Sequence, residues 1–314
     1  MPDIFTVALK EFSDIVRGRR FIILVAVFGL LTTVAIASVY LTVIQSVQLP
    51  GSIAMPRGFL GMAGSMLAGT MSFFAPIMGL ALGCDAISGE KERGTLKVTL
   101  AQPVYRDTII NGKFLAALFA VSLAVLITSV ADIGGSVLVL GITPGGEDAA
   151  RLMLFTLFAI LFAMTYYGIA AFLSTVSKRT TQSVILGVVL WAVFTFVIPI
   201  IASLIAFMLM PMSFQFQNAT SPSQEEMNRL VEEMRKRTAI TEGVSSVTPN
   251  YHFGKISQYL LNPYATTGVA QPAQGPVSVA ISLMNAAPNM LVLVMATVLV
   301  FVASYIVFTR QEVR

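Results

Sequence analysis

"FIILVAVFGLLTTVAIASVYLTVI", residues 21–44, is free of Asp, Glu, Lys and Arg, and its reading decides the fold. A helix rises about 1.5 Å per residue, so roughly 20 such residues cross the roughly 30 Å hydrocarbon core of a bilayer. Further charge-free runs follow at about 59–84, 114–131, 152–176, 181–210 and 290–309. Backbone groups in hydrocarbon have no water to bond, and barrel-type alternation is absent, so each run is expected as a helix. Composition agrees: 56% of the residues are hydrophobic and 11% charged, which excludes an ordinary soluble domain. The sequence predicts an all-α polytopic membrane protein with six transmembrane helices. The run from Phe21 is far longer than the apolar core of a secretory signal, so it is expected to stay as the first span.

Lys and Arg set the expected orientation. One side carries Lys10, Arg17, Arg19 and Arg20, then Lys91, Arg93, Lys97, Arg106 and Lys113, then Lys178 and Arg179, and last Arg310 and Arg314. The short loops opposite hold only Arg57 and Arg151. This asymmetry places both termini and the 85–113 loop in the cytoplasm of a cell-membrane protein, while 211–287 lies outside and is too long to vote. The net charge of +4 is then a topology signal, and no nucleic-acid partner is expected. A single cysteine, Cys84, excludes an internal disulfide.

Four segments follow. Residues 1–20 place Ile4, Ala8, Phe12 and Ile15 at helical spacing among charges, which suits an interfacial helix or an extension of the first span into water. Residues 21–210 hold spans one to five with the 85–113 loop, and 288–314 the sixth span and tail. The external insertion 211–287 is partly helical. Its 224–238 stretch reads as a charged helix with a stripe of Met227, Leu230, Val231 and Met234, and 251–264 as an amphipathic segment on the outer surface. Such an insertion could gate exit, bind an accessory protein or form a lid over a dimer interface.

The 85–113 loop is densely charged and sharply punctuated. Asp85, Ser88, Glu90, Lys91, Glu92 and Arg93 lead into Gly94-Thr95, a breaker followed by a cap. Leu96 and Leu100 lie one turn apart, Gln102-Pro103 ends the piece, and Asp107 is expected to cap the third span. The result is a short amphipathic helix hung between two spans, a shape suited to a cytoplasmic partner.

The run Glu92-Arg93-Gly94-Thr95-Leu96, then Leu100-Ala101-Gln102-Pro103-Val104, Arg106, Ile109 and Gly112-Lys113, resembles the loop motif of ABC-2 type permeases, the membrane subunits of ATP-binding-cassette transporters. Leu261-Asn262-Pro263-Tyr264 is similar to an element such permeases carry before the last span. The long external segment resembles the subgroup containing the permease associated with nitrous oxide reductase maturation. The resemblance implies an exporter subunit acting as a homodimer, or as a dimer of similar permeases, over two separate ATPase subunits that carry ATP and Mg. It implies a coupling helix in an ATPase groove, with Glu90, Glu92, Arg93, Gly94, Thr95, Leu96, Leu100, Pro103 and Arg106 as coupling residues. No G-x-x-x-x-G-K-[ST] occurs, so this chain is expected to be no enzyme and to hold no cofactor of its own.

Other features carry two readings each. Gly61, Ser65, Gly69, Gly79 and Gly83 place small residues on the second span, for packing within the subunit or for a pore or dimer face. Asp132, an intramembrane acid well within the third apolar stretch, serves transport, or has a structural partner or a position near the outer interface. The methionines suit soft-metal handling or plain filling, and no metal site is expected with one His and one Cys. His252 carries no ligand role. The rival class, a secondary transporter or channel-like protein without an ATPase, would need repeat symmetry or discontinuous polar helices, and neither is visible.

Overall fold

The computed structural model describes residues 3–48, 60–95, 105–141, 143–210, 224–262 and 277–310. They form α1 (Ile4–Arg17), α2 (Arg19–Gln48), α3 (Ser65–Gly83), α4 (Ser88–Glu92), α5 (Arg106–Leu140), α6 (Gly146–Val176), α7 (Thr180–Ala192), α8 (Ile198–Leu209), α9 (Gln224–Ser245), α10 (Pro249–Leu261) and α11 (Val279–Arg310). Six helical stretches are long and apolar enough to cross a membrane: α2, α3 with α4, α5, α6, the continuous α7–α8, and α11. Short π-turns lead into α3 at Leu60–Gly64 and join α7 to α8 at Val193–Val197. The second lies just before Pro199, whose missing N–H would otherwise break the ladder.

α1 is a separate element. The Asp3 carboxylate caps it by accepting from Ile4 N at 2.7 Å, and the chain leaves helical geometry at Gly18 before α2 begins. It lies across the start of α5, where Phe5 and Phe12 pack on Phe119 and a methyl group at Gly112 would stand 2.7 Å from Val7 Cγ1. Its outer apolar face, Phe5 and Leu9, stays exposed, as an interfacial helix requires.

At the centre α3 packs on α6 at backbone contact. A methyl group at Gly83 would stand 2.6 Å from both the Ala170 Cβ and the Tyr167 carbonyl oxygen, and one at Gly79 2.7 Å from Tyr167 N. Gly79 and Gly83 therefore serve packing within the chain and not an outer face, whereas Gly69 and Ser65 do lie on an exposed side. Gly61 is half-buried. Aromatic rings knit the neighbours: Phe28 on Phe74 at 4.4 Å, and Phe114 on Tyr167 and Phe301 at 5.1 and 4.5 Å. More than half of the apolar window is buried in α3 and in α6, against 6% in α7–α8.

The insertion after α8 departs from the expected outline. α9 runs to Ser245, past the expected end at 238, and α11 begins at Val279, before the expected 288. α10 does not lie on an outer surface: it is threaded into the bundle, with Phe253 stacked on Phe162 at 4.3 Å and Ile256, Leu260 and Leu261 buried. Aromatic, amphipathic spacing fits an interface and a groove equally well, and the Phe155 and Phe162 rings of α6 supply the groove. Tyr166, which bonds Asn250, stands about 30 Å along α6 from its start, so α10 begins deep and climbs outward.

Candidate coupling junction

α4 is five residues long, and most of its side-chain polar contacts reach other helices. The Ser174 hydroxyl of α6 accepts from Ile87 N and Ser88 N at 3.1 and 2.8 Å and donates to Ser88 Oγ at 3.0 Å. Ser88 in turn donates to the Cys84 carbonyl at the end of α3. Lys91 Nζ donates to the Thr175 carbonyl in the last turn of α6, and Glu92 Oε2 accepts from Thr180 N, the first residue of α7, at 3.1 Å. A cation thus meets a helix C-terminus and an anion a helix N-terminus, both favourable to the helix dipole. Among the described residues this is how the α6–α7 turn is held.

Glu90 turns the other way. Its Oε1 lies 2.5 Å from Lys113 Nζ of α5, and the same ammonium reaches Glu11 Oε2 of α1 at 3.0 Å. The Lys113 side chain is 6% exposed, and a cation buried so deeply needs both carboxylates. Arg20 at the start of α2 pairs with Asp85 just after α3, and Arg106 Nη1 donates to the Thr309 carbonyl near the end of α11 at 3.3 Å. α4 and Asp85 thereby touch α2, α5, α6 and α7 and, through Lys113, α1, while Arg106 ties the start of α5 to α11.

Gly94 has φ +72°, the left-handed conformation that lets the chain leave α4 sharply, and the Thr95 hydroxyl donates back to the Glu90 carbonyl at 3.3 Å. Arg93 stays on the surface. Leu96, Leu100 and Pro103 lie outside the described residues. Asp107 is not the cap of α5; Tyr105 holds that position without a side-chain bond, and Asp107 sits in the first turn, where its charge still favours the helix.

A second polar set runs along α10, from its deep start to its outer end. Arg151, buried in α6, donates to the Leu260 carbonyl at 3.1 Å, to Ser282 Oγ at 2.9 Å and to the Val277 carbonyl, clamping α10 to the start of α11. His252 lies between Asn289 Oδ1 at 2.9 Å and the Ser246 carbonyl at 2.8 Å, so both ring nitrogens have a protein partner. Glu242 pairs with Lys255 at 2.5 Å and accepts from Tyr251 Oη at 3.2 Å.

Asp132 is 1% exposed in α5, and neither carboxylate oxygen has a hydrogen-bond partner among the described residues. The buried Thr32 hydroxyl of α2 faces that carboxylate outside good hydrogen-bond geometry, and the buried Ser129 hydroxyl has no hydrogen bond among the described residues. No group of three or more His, Cys, Asp or Glu placed to hold a metal occurs among the described residues.

A family profile described as "ABC-2 family transporter protein" matches residues 5–313. The chain belongs to this ABC-2 family. It is 30% identical over 200 residues to "Probable ABC transporter permease protein NosY" of Pseudomonas aeruginosa, a match covering 62% of this chain and 67% of the relative. To the protein of the same name from Stutzerimonas stutzeri it is 28% identical over 205 residues, covering 64% and 70%. An ABC-2 membrane subunit is not itself catalytic and works with an ATPase partner. Within this ABC-2 chain, the sequence named Glu90 and Glu92 in the loop and Lys113 in the motif, and the fold brings Glu90 to Lys113 and Glu92 to Thr180. It gave no partner to Lys91, Lys113 or Arg151 and did not single out Ser174, because the partners lie far along the chain.

Proposed function

We propose that the chain is the membrane subunit of an ABC exporter, acting as a homodimer with two cytoplasmic ATPase subunits seated on the 85–113 loop. The basic face, with both termini, is then cytoplasmic, and the membrane is the cell membrane. One observation carries the reading: α4, immediately before the loop motif, is bonded to α3, α5, α6 and α7 and, through Lys113, to α1. A displacement of the 95–105 segment is therefore shared by the whole bundle. ATP, with Mg in the partner, shifts the spans only to the extent that the ATPase pair binds one arrangement more tightly.

The test is Leu96→Asp, which puts a charge where the partner's groove would close. ATPase co-purification and ATP-driven transport are expected to fall about tenfold or more, with the detergent melting curve of the permease unchanged. Full ATPase retention with normal transport would make the loop a solvated connector and overturn the reading.

A further inference from the structure

Two cavities meet on the basic face, and they differ in chemistry. The first, about 430 Å³, lies between the α1–α2 junction and the end of α3; Asp14, Arg19, Glu90, Arg93 and Lys113 contribute to its wall. The second, about 330 Å³, is an apolar slot between α3 and α7 faced by Ile77, Leu80, Val184, Val188 and Trp191. Arg20, Ala81 and Asp85 line both, so the charged chamber and the slot adjoin at the Arg20–Asp85 ion pair. We propose that this joined pair of cavities binds one phospholipid with a primary-ammonium headgroup, its phosphoethanolamine in the chamber and an acyl chain in the slot.

The shape fits an amphiphile. Along α7 the slot runs from Val184 to Trp191, about 10 Å of helix, the reach of the first half of an acyl chain. The chamber lies at the level of α1 and of the basic residues that mark the membrane border, where headgroups of that leaflet sit.

Charge selects the headgroup. Lys113 is matched by Glu11 and Glu90, and Arg20 by Asp85. Arg19 and Arg93 are in no ion pair among the described residues and suit a phosphate. Asp14, exposed in the same wall, is in no ion pair among the described residues. A primary ammonium can donate to that carboxylate; a trimethylammonium has no N–H to offer. The chamber thus favours phosphatidylethanolamine over phosphatidylcholine, and its acidic residues disfavour a purely anionic headgroup. The proposal does not depend on what drives transport.

The test uses the full-length protein, delipidated and reconstituted in nanodiscs of equal parts phosphatidylethanolamine, phosphatidylcholine and phosphatidylglycerol. Re-extraction and native mass spectrometry then identify the retained lipid. One phosphatidylethanolamine per chain is expected, enriched about tenfold over either competitor. Ala81→Trp, which closes the passage, and the surface pair Arg19→Gln with Arg93→Gln should each cut that retention about tenfold with unchanged melting curves. Because the arginines are exposed, the second variant reports even if the first disturbs packing. Equal retention of phosphatidylcholine, or full retention in the arginine variant, would overturn the proposal. So would displacement by chain-free glycerophosphoethanolamine at millimolar concentration, since the site would then bind a soluble headgroup and no lipid.

Discussion

Lys113 holds its charge in a site 6% exposed to solvent because Glu11 and Glu90 arrive there from two other elements. Removing the cation leaves two carboxylates facing each other, and breaking a buried charge set costs about 3 kcal/mol or more. Lys113→Met is therefore expected to lower the melting temperature strongly, while Glu11→Gln, which leaves Glu90 in place, costs about 1 kcal/mol. Chemical or thermal unfolding in detergent measures both, and equal effects would mean that the ammonium is not shared. Asp132 is the opposite case: among the described residues no cation pairs with it, and only the Thr32 hydroxyl offsets its burial. An apolar residue there removes an unmatched desolvation cost, so Asp132→Leu should stabilise the fold by about 1 kcal/mol or more. A lower melting point in that variant would reveal a partner for the carboxylate, and a loss of transport with a higher one would make the acid a functional residue.

At the scale of the element, the α3–α6 contact depends on hydrogen atoms at two positions. Gly79→Ala pushes a methyl group against the backbone of α6, which cannot yield as a side-chain tip can. The expected cost is about 3 kcal/mol. Gly69→Ala meets nothing within 4 Å and should be neutral or slightly stabilising in a helix. Parallel melts of the two variants decide it; similar losses would deny the contact. The sequence could show that a glycine sat at each of these places, because small residues four apart are visible in any span. Which glycines face a neighbour could not be seen, since that depends on how far α3 is rotated against Ala163 and Tyr167. The spans themselves were legible because hydrocarbon thickness sets a length that composition must obey. The threading of α10 was not, because a segment such as Tyr251-His252-Phe253 suits a lipid interface and a protein groove alike. At the junction, Gly94 announced its turn, whereas Lys91, Ser174 and Arg151 acquire meaning only from carbonyls and hydroxyls brought close by the fold.

For the whole molecule, the most informative contrast is between spans. Lipid is as apolar as a leucine side chain, so helices in a bilayer are held by close packing and not by exclusion from water. The α7–α8 span has only 6% of its apolar window buried, the lowest of the six. Ile185, Val189, Phe196, Ile200 and Leu204 along it are exposed. A span so weakly packed within its own chain is the natural place for a second copy to close against. A two-fold dimer brings each residue near the axis against its own counterpart, so single cysteines suffice as probes. Cys84, the one native cysteine, is buried and does not compete. Cysteines placed singly at those positions should give copper-catalysed, copy-to-copy disulfides at a subset spaced three or four residues apart, the repeat of one helix face. A cysteine at Leu126 on the exposed side of α5 should give none. Crosslinking is read on non-reducing gels in membranes, before detergent can scramble the pairs. Uniform bands at every position, or none at all, would mean that lipid covers this span and that the two copies meet elsewhere.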